Sequence, residues 1–183
     1  MKRVSVLILA FILVICVCSA WAQEIITRES TVLLEGMEES IIETRYDDPD
    51  GLTFWYSADL FAVSEEYGNI RLVPLDETIE NTSLMIVPVD IPVEESEAFI
   101  HEATGGYMPG EAEISEITES KLESGLDVKH VQAVMQNEIH SYYLITGEEK
   151  VYCVTAIFPV EAAEGFGVRM EHIISTFEIT SPE

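Results

Sequence analysis

Positive charge is scarce in this chain. Nine Lys and Arg stand against 34 Asp and Glu over 183 residues, a formal net charge of −25. Nucleic-acid binding rests on cationic contacts to phosphate, so the composition argues against it. The same deficit opposes adsorption to anionic lipid. Cysteine is scarce too, with only Cys16, Cys18 and Cys153. A single long hydrophobic run occurs, at the very start. Nothing after it approaches the ~18 apolar residues of a membrane span. Histidine is limited to His101, His130, His140 and His172. No H-x-x-H, H-x-x-x-H or C-x-x-C spacing assembles the three or four ligands of a zinc site. No G-x-S-x-G, P-loop or dinucleotide fingerprint is present.

The first 22 residues read as a secretory signal peptide. Lys2 and Arg3 give a basic start, and Val4 to Val17 are apolar apart from Ser5 and the weakly polar Cys16. Ala20-Trp21-Ala22 places small residues where a signal peptidase reads, so cleavage is expected after Ala22, before Gln23. Cleavage removes two of the nine basic residues and no acid, leaving seven against 34 and a charge of −27. It also removes Cys16, Cys18 and Trp21, so one thiol and one Trp (Trp55) remain and no internal disulfide is available. Lipid attachment at Cys18 is the alternative processing. Either route exports the protein.

Residues 23–39 read as a polar leader, with the apolar Val32-Leu33-Leu34 as an alternative first edge strand. The domain is placed at 40–183. Strands are expected at Ile41–Tyr46, at Leu52–Tyr56, around Phe61-Ala62-Val63, at Ile70–Leu75 and at Ser83–Val89. Asp47-Asp48-Pro49-Asp50-Gly51 is a turn, because Asp side chains bond the local backbone, Pro fixes φ and Gly allows positive φ. In Leu52–Tyr56 the alternation puts Leu52, Phe54 and Tyr56 on one face and Thr53 and Trp55 on the other. Glu94–Thr104 reads as a helix with Phe99, Ile100 and Ala103 inside, stopped by Gly105-Gly106. Tyr107–Gly125 is a polar connection. A meander follows at Val128–Met135, Ile139–Thr146 and Lys150–Phe158. The last strand is apolar on both faces, as a central covered strand is. A closing helix is expected from Glu161 or Glu164 to Phe177, with Phe166, Met170, Ile173, Ile174 and Phe177 inside and Arg169, Glu171 and His172 outside.

Candidate chemistry is sparse. Asp47, Asp48 and Asp50 resemble part of a Ca²⁺ loop, but Gly51 is off the sixth position and no bidentate Glu follows at the twelfth. Cys153 sits mid-strand, where a thiol packs as a small hydrophobe. His130 and His140 lie on paired strands and are candidates to approach each other. Trp55, Tyr56 and Phe61, with Tyr67 and Tyr107, cluster near turns and form the candidate partner-binding surface, since aromatic rings carry interface energy. An enzyme would need a pocket holding a buried carboxylate, or Cys153 beside a His.

The block VYCVTAIFPVEAAEGFGVRMEHIISTFEI at 151–179 resembles the C-terminal block of the PsbP-like superfamily: a central strand ending at Pro, a carboxylate-rich turn, and an amphipathic helix ending in a Ser/Thr-Phe pair. GLTFWYSADLF at 51–61 is similar to that superfamily's N-terminal aromatic hairpin. The resemblance covers about 40–179. It implies an α+β domain, an antiparallel sheet of about five to seven strands packed with helices in an α/β/α sandwich, and a non-catalytic role in binding another protein. The function expected is therefore that of an exported accessory protein whose partner is another exported or envelope protein. An acidic divalent-cation-binding protein is the alternative, and a hydrolase a third.

Overall fold

The computed structural model describes residues 25–76, 78–92, 95–104 and 111–180. The signal segment, Gly105-Gly106 and Tyr107 lie outside the described residues. Two antiparallel sheets form the domain. The smaller has the order β1 (Thr27–Leu34), β2 (Met37–Asp47), β3 (Leu52–Tyr56) and β12 (Glu178–Ile179). The larger, of eight strands, runs β4 (Phe61–Glu66), β5 (Asn69–Pro74), β6 (Ser83–Val89), β11 (Val151–Pro159), β10 (Glu138–Thr146), β9 (Asp127–Met135) and β7 (Glu113–Ile114). Its eighth strand, β8 (Thr118–Lys121), pairs with β9. Helix α1 spans Ser96–Thr104 and helix α2 spans Val168–Ser175. None of the described helices is long and apolar enough to cross a membrane.

This architecture corrects the expected one. The protein is mostly sheet, and the expected single sheet of five to seven strands is two sheets of four and eight. The short helices do not make an α/β/α sandwich. Residues 27–34 are not a leader: they pair in full register with β2, from Thr27↔Thr44 to Leu34↔Met37. A boundary at residue 40 falls inside β2. Val32 is buried, which anchors β1 to the domain.

The meander forms as its alternation predicts, with Ile139↔Phe158 and Tyr143↔Val154 in the β10–β11 register. β11 lies between β6 and β10. One face of it, Tyr152, Val154, Ala156 and Phe158, joins the main core with Leu52, Phe54, Leu72, Leu84, Met170 and Phe177. The other face contributes Val151 to a smaller cluster with Val131, Leu144 and Ile100 of α1. Both faces are covered, which is why apolar residues stand on both of them.

The closing helix is shorter than its periodicity suggests. Val160–Ala162 is a 3₁₀ turn and Ala163–Gly167 a π-helical segment, and only then does α2 begin. Gly165 and Gly167 weaken the first turn. At Gly167 a Cβ would lie 2.9 Å from the Phe158 ring, so the close approach of this segment to β11 requires glycine. Met170, Ile173 and Ile174 face the core and Glu171 is exposed as expected, but Arg169 and His172 are only partly exposed. The β1–β2 hairpin packs against them, with Arg169 Nη2 donating to Glu39 Oε2 at 2.8 Å.

Candidate functional site

A cavity of about 390 Å³ opens where four segments meet: the start of β1, β3, the β8–β9 turn and the end of α2. Its walls include Arg28, Trp55, Glu123, His172, Thr176 and Glu178. Trp55 reaches it because the Leu52–Tyr56 alternation sends Leu52 and Phe54 into the core and the indole to the other face. Thr176 locks that strand to the helix end. Its hydroxyl accepts from the Trp55 backbone N–H at 2.9 Å and donates to the Ile173 carbonyl at 2.7 Å.

Glu43 lies beneath this region with a relative exposure of 0%. Arg28 Nε donates to Glu43 Oε2 at 2.8 Å, and His172 Nε2 lies 2.9 Å from Oε1. Burial pushes the carboxyl up, but the hydrogen bonds and charges of His172 and Arg28 outweigh it and hold it below its ordinary value. The Arg28 guanidinium also lies over the Trp55 ring, 4.3 Å from its centroid, in a cation–π contact. A buried carboxylate bordering a cavity is one of the features set above for an enzyme. Glu43 is held ionised with a partner on each oxygen, so it has no proton to give as a general acid. Ser175 Oγ donates to the His172 carbonyl at 2.6 Å, within its own helix. The cluster orders charge around Trp55.

The other predicted residues scatter. Phe61 is 2% exposed and meets Phe166 edge-on at 5.6 Å, so it is core and offers nothing to a partner. Tyr56 is half-buried, with burial pushing its phenol up, and its ring tilts against Phe54 at 6.1 Å. Of the three, Trp55 lines the cavity described above, while Phe61 lines a separate cavity of about 10 Å³ with Val32, Glu43 and His172. Tyr67 stands 95% exposed in the β4–β5 turn.

The three Asp side chains also take separate partners. Asp47 pairs with Arg45 Nε at 2.8 Å, Asp48 Oδ1 accepts the Asp50 N–H at 2.8 Å, and Asp50 lies 3.9 Å from Lys150 Nζ. Among the described residues no three His, Cys, Asp or Glu converge to hold a metal. His130 and His140 do not meet. His130 opposes Tyr143, whose ring it stacks on at 4.3 Å, while His140 opposes Ala133 and lies 3.3 Å from Glu138. Cys153 is flanked by Leu144 and Val87, and burial raises its thiol pKa. His172 and Arg169, expected on an outer helix face, are partnered by β2 instead.

Sequence reasoning missed Glu43, Arg28 and His172. A local signal existed: Glu43 follows Ile41 at strand spacing, so the two share one face of the strand. Arg169 and His172 fall at i and i+3, one stripe of the helix.

No protein-family model matches the chain, and no curated protein matches it. Among solved structures it is similar to PsbP of the cyanobacterium Synechocystis, a solution structure. The TM-score is 0.53 and the identity 14%, covering 74% of this chain and 91% of that one. It is also similar to a crystal structure from Bacteroides thetaiotaomicron, with a TM-score of 0.49 and 12% identity, covering 75% of this chain and 48% of the other. The Synechocystis likeness shows the fold: this chain has the PsbP-like fold.

Proposed function

We propose that this is an exported, non-catalytic accessory protein that binds the basic surface of another exported or envelope protein. One observation carries the reading. Ile25, Ile26, Leu33, Met37 and Ile42 are all exposed, at 44–75%, on the β1–β2 hairpin and the two residues leading into it. Leu33 and Ile42 share one face of that hairpin by register. Single exposed apolar residues are ordinary, but a concentration of them marks a contact surface. Glu29, Glu35 and Glu38 interleave with them. The chain's net charge of −25 opposes a second copy and favours a cationic partner. The signal-peptide pattern supplies the address, and the PsbP-like fold is compatible with a binding role without fixing it.

The test is capture of partners from envelope extract with the wild-type protein and with Leu33→Ser/Ile42→Ser. A partner retained by the wild type, weakened by salt and lost with the variant supports the reading. Equal recovery by both, or none above control, overturns it. Mass spectrometry of the exported N-terminus is expected to begin at Gln23; a lipid-modified Cys18 would replace free release by anchoring.

A further inference from the structure

We infer that strand β1 is the docking edge for the partner: an extended, basic segment of that protein adds beside Thr27–Leu34 as a further antiparallel strand. The inference deepens the binding reading above and rests on it.

The backbone carries the first support. The Arg45 N–H donates to the Ile26 carbonyl at 2.9 Å. Along an antiparallel ladder, residues that turn N–H and C=O toward the partner strand alternate with residues that turn both away. In the β1–β2 register Arg28, Ser30, Val32 and Leu34 therefore bond to β2. The Leu34↔Met37 pair flanks the Glu35-Gly36 turn, and the pair that closes a two-residue hairpin is a bonded one, so both ends of the ladder agree. Thr27, Glu29, Thr31 and Leu33 turn their N–H and C=O groups out of the sheet. Among the described residues only β2 pairs with β1. The outward edge thus presents donors and acceptors at the spacing of a strand.

The second support is that this edge is unguarded. Sheet edges are ordinarily blunted by short strands, charges, proline or bulges. Strands β12 and β7 have two residues each, β8 carries Glu119 and Lys121, and β4 ends in Glu65 and Glu66. Strand β1 has eight residues and an unbroken register with β2 from Thr27↔Thr44 to Leu34↔Met37. From Ser30 to Leu34 it has neither a charge nor a proline.

The third support is the side chains, which define the strand that fits. Thr27, Glu29, Thr31 and Leu33 stand on the exposed face, whereas Val32 on the other face is buried. Residues of an added strand opposite Glu29 and Leu33 share that exposed face and meet them directly. An apolar residue opposite Leu33 covers a side chain that is 61% exposed. A Lys or Arg opposite Glu29 finds a carboxylate held on this face by Ser40 Oγ, which donates to Glu29 Oε1 at 2.9 Å. An antiparallel strand reads this as an apolar residue followed four places later by a basic one, the spacing of Glu29 and Leu33. The net charge of −25 that attracts such a segment opposes pairing of β1 with the β1 of a second copy.

The experiment titrates the protein recovered from the extracytoplasmic fraction of an expressing bacterium. The probe is the peptide acetyl-Ile-Thr-Val-Thr-Lys-Thr-Val-amide, whose Ile, first Val and Lys are placed to face Leu33, Thr31 and Glu29. One analogue is N-methylated on Ile, Lys and both Val residues, whose N–H groups would point at β1. The other is N-methylated on its Thr residues, whose N–H groups would point away. All three peptides have the same side chains and charge. Calorimetry is expected to find the first analogue at least about tenfold weaker than the parent and the second within about threefold of it. The parent peptide should slow hydrogen exchange at the Glu29, Thr31 and Leu33 amides and leave those of Ser30 and Val32, already bonded to β2, little changed. Thr31→Pro removes an outward N–H that β2 does not use and should weaken the parent peptide at least about fivefold, while Thr31→Val keeps that N–H and should stay within about twofold. Replacing the peptide's Lys by Glu should weaken it about threefold or more. Equal binding of the two N-methylated analogues, protection of other amides instead, or equal binding of the Glu peptide overturns the inference. Protection of the same amides by raised protein concentration alone overturns it in favour of a second copy. Partner capture that survives Thr31→Pro but not Leu33→Ser/Ile42→Ser removes this inference and leaves the binding role standing; absence of capture by the wild type removes both.

Discussion

Replacing Glu43 by Gln keeps the side-chain shape and removes its charge from a fully buried position. Glu43 accepts from Arg28 at 2.8 Å and meets His172 at 2.9 Å. Breaking a buried ion pair by deleting one partner costs about 3–5 kcal/mol when the other charge stays buried. Here the partners are partly hydrated: the Arg28 side chain is 40% exposed and that of His172 is 22%. Both recover some solvation, so the expected loss is smaller, about 2 kcal/mol. For a domain of this size that is about 4–8 °C in melting temperature. The effect has a definite pH dependence. Glu43 has a folded pKa below its ordinary 4.5. Its contribution to stability is thus complete above that ordinary value and disappears as pH falls through the folded one. The gap between wild type and Glu43→Gln is expected to be full at pH 7 and to shrink at acid pH, as the pH falls below 4.5 and through the lowered folded pKa of Glu43. Denaturant titrations followed by Trp fluorescence at neutral and at acid pH measure it. A variant within about 0.5 kcal/mol of wild type at pH 7, or a gap unchanged by acid, would refute the reasoning.

The remaining predictions concern other links in the structure. Phe61→Ala should destabilise the fold by about 3–5 kcal/mol in denaturant titration, as a core truncation does, in place of a selective loss of partner binding. Gly51 has φ +92°, and a Cβ there would lie 2.0 Å from the Thr180 carbonyl oxygen, so Gly51→Ala should disrupt the β3–β12 edge and speed hydrogen exchange at Thr180, whose N–H donates to the Gly51 carbonyl at 2.9 Å. Because Asp47, Asp48 and Asp50 have separate partners, micromolar Ca²⁺ should change neither the Trp fluorescence nor the melting temperature. A saturable shift would restore the calcium-loop reading.

Local pattern was legible wherever one strand carries its own alternation. Leu52–Tyr56 and Ser83–Val89 form as read, and β9, β10 and β11 differ from expectation by about a residue at their ends. Period-2 patterning belongs to a strand whatever it pairs with, so it survives into the fold. Sheet membership is not local. Whether Phe61 faced solvent or core depended on β4 joining the larger sheet and on Phe166 arriving from more than a hundred residues away. The core face of the last helix was readable, with Met170, Ile173, Ile174 and the following Phe177 all buried, although the helix itself ends at Ser175. Its start was not, because the π-helical segment is set by the contact of Gly167 with Phe158.

The amino-acid sequence by itself determined the acidity of the chain and the strand-rich character of the domain, and it carries the signal-peptide pattern on which the expectation of export rests, since each depends on composition or on patterns within a few residues. Only the tertiary structure decided that Arg28, Glu43 and His172 form one cluster beside Trp55. His172 and Glu43 are 129 residues apart, and their meeting follows from the β1–β2 hairpin folding back over α2. A buried charge takes its stability from the partners that surround it, and those partners are fixed by packing across the whole chain.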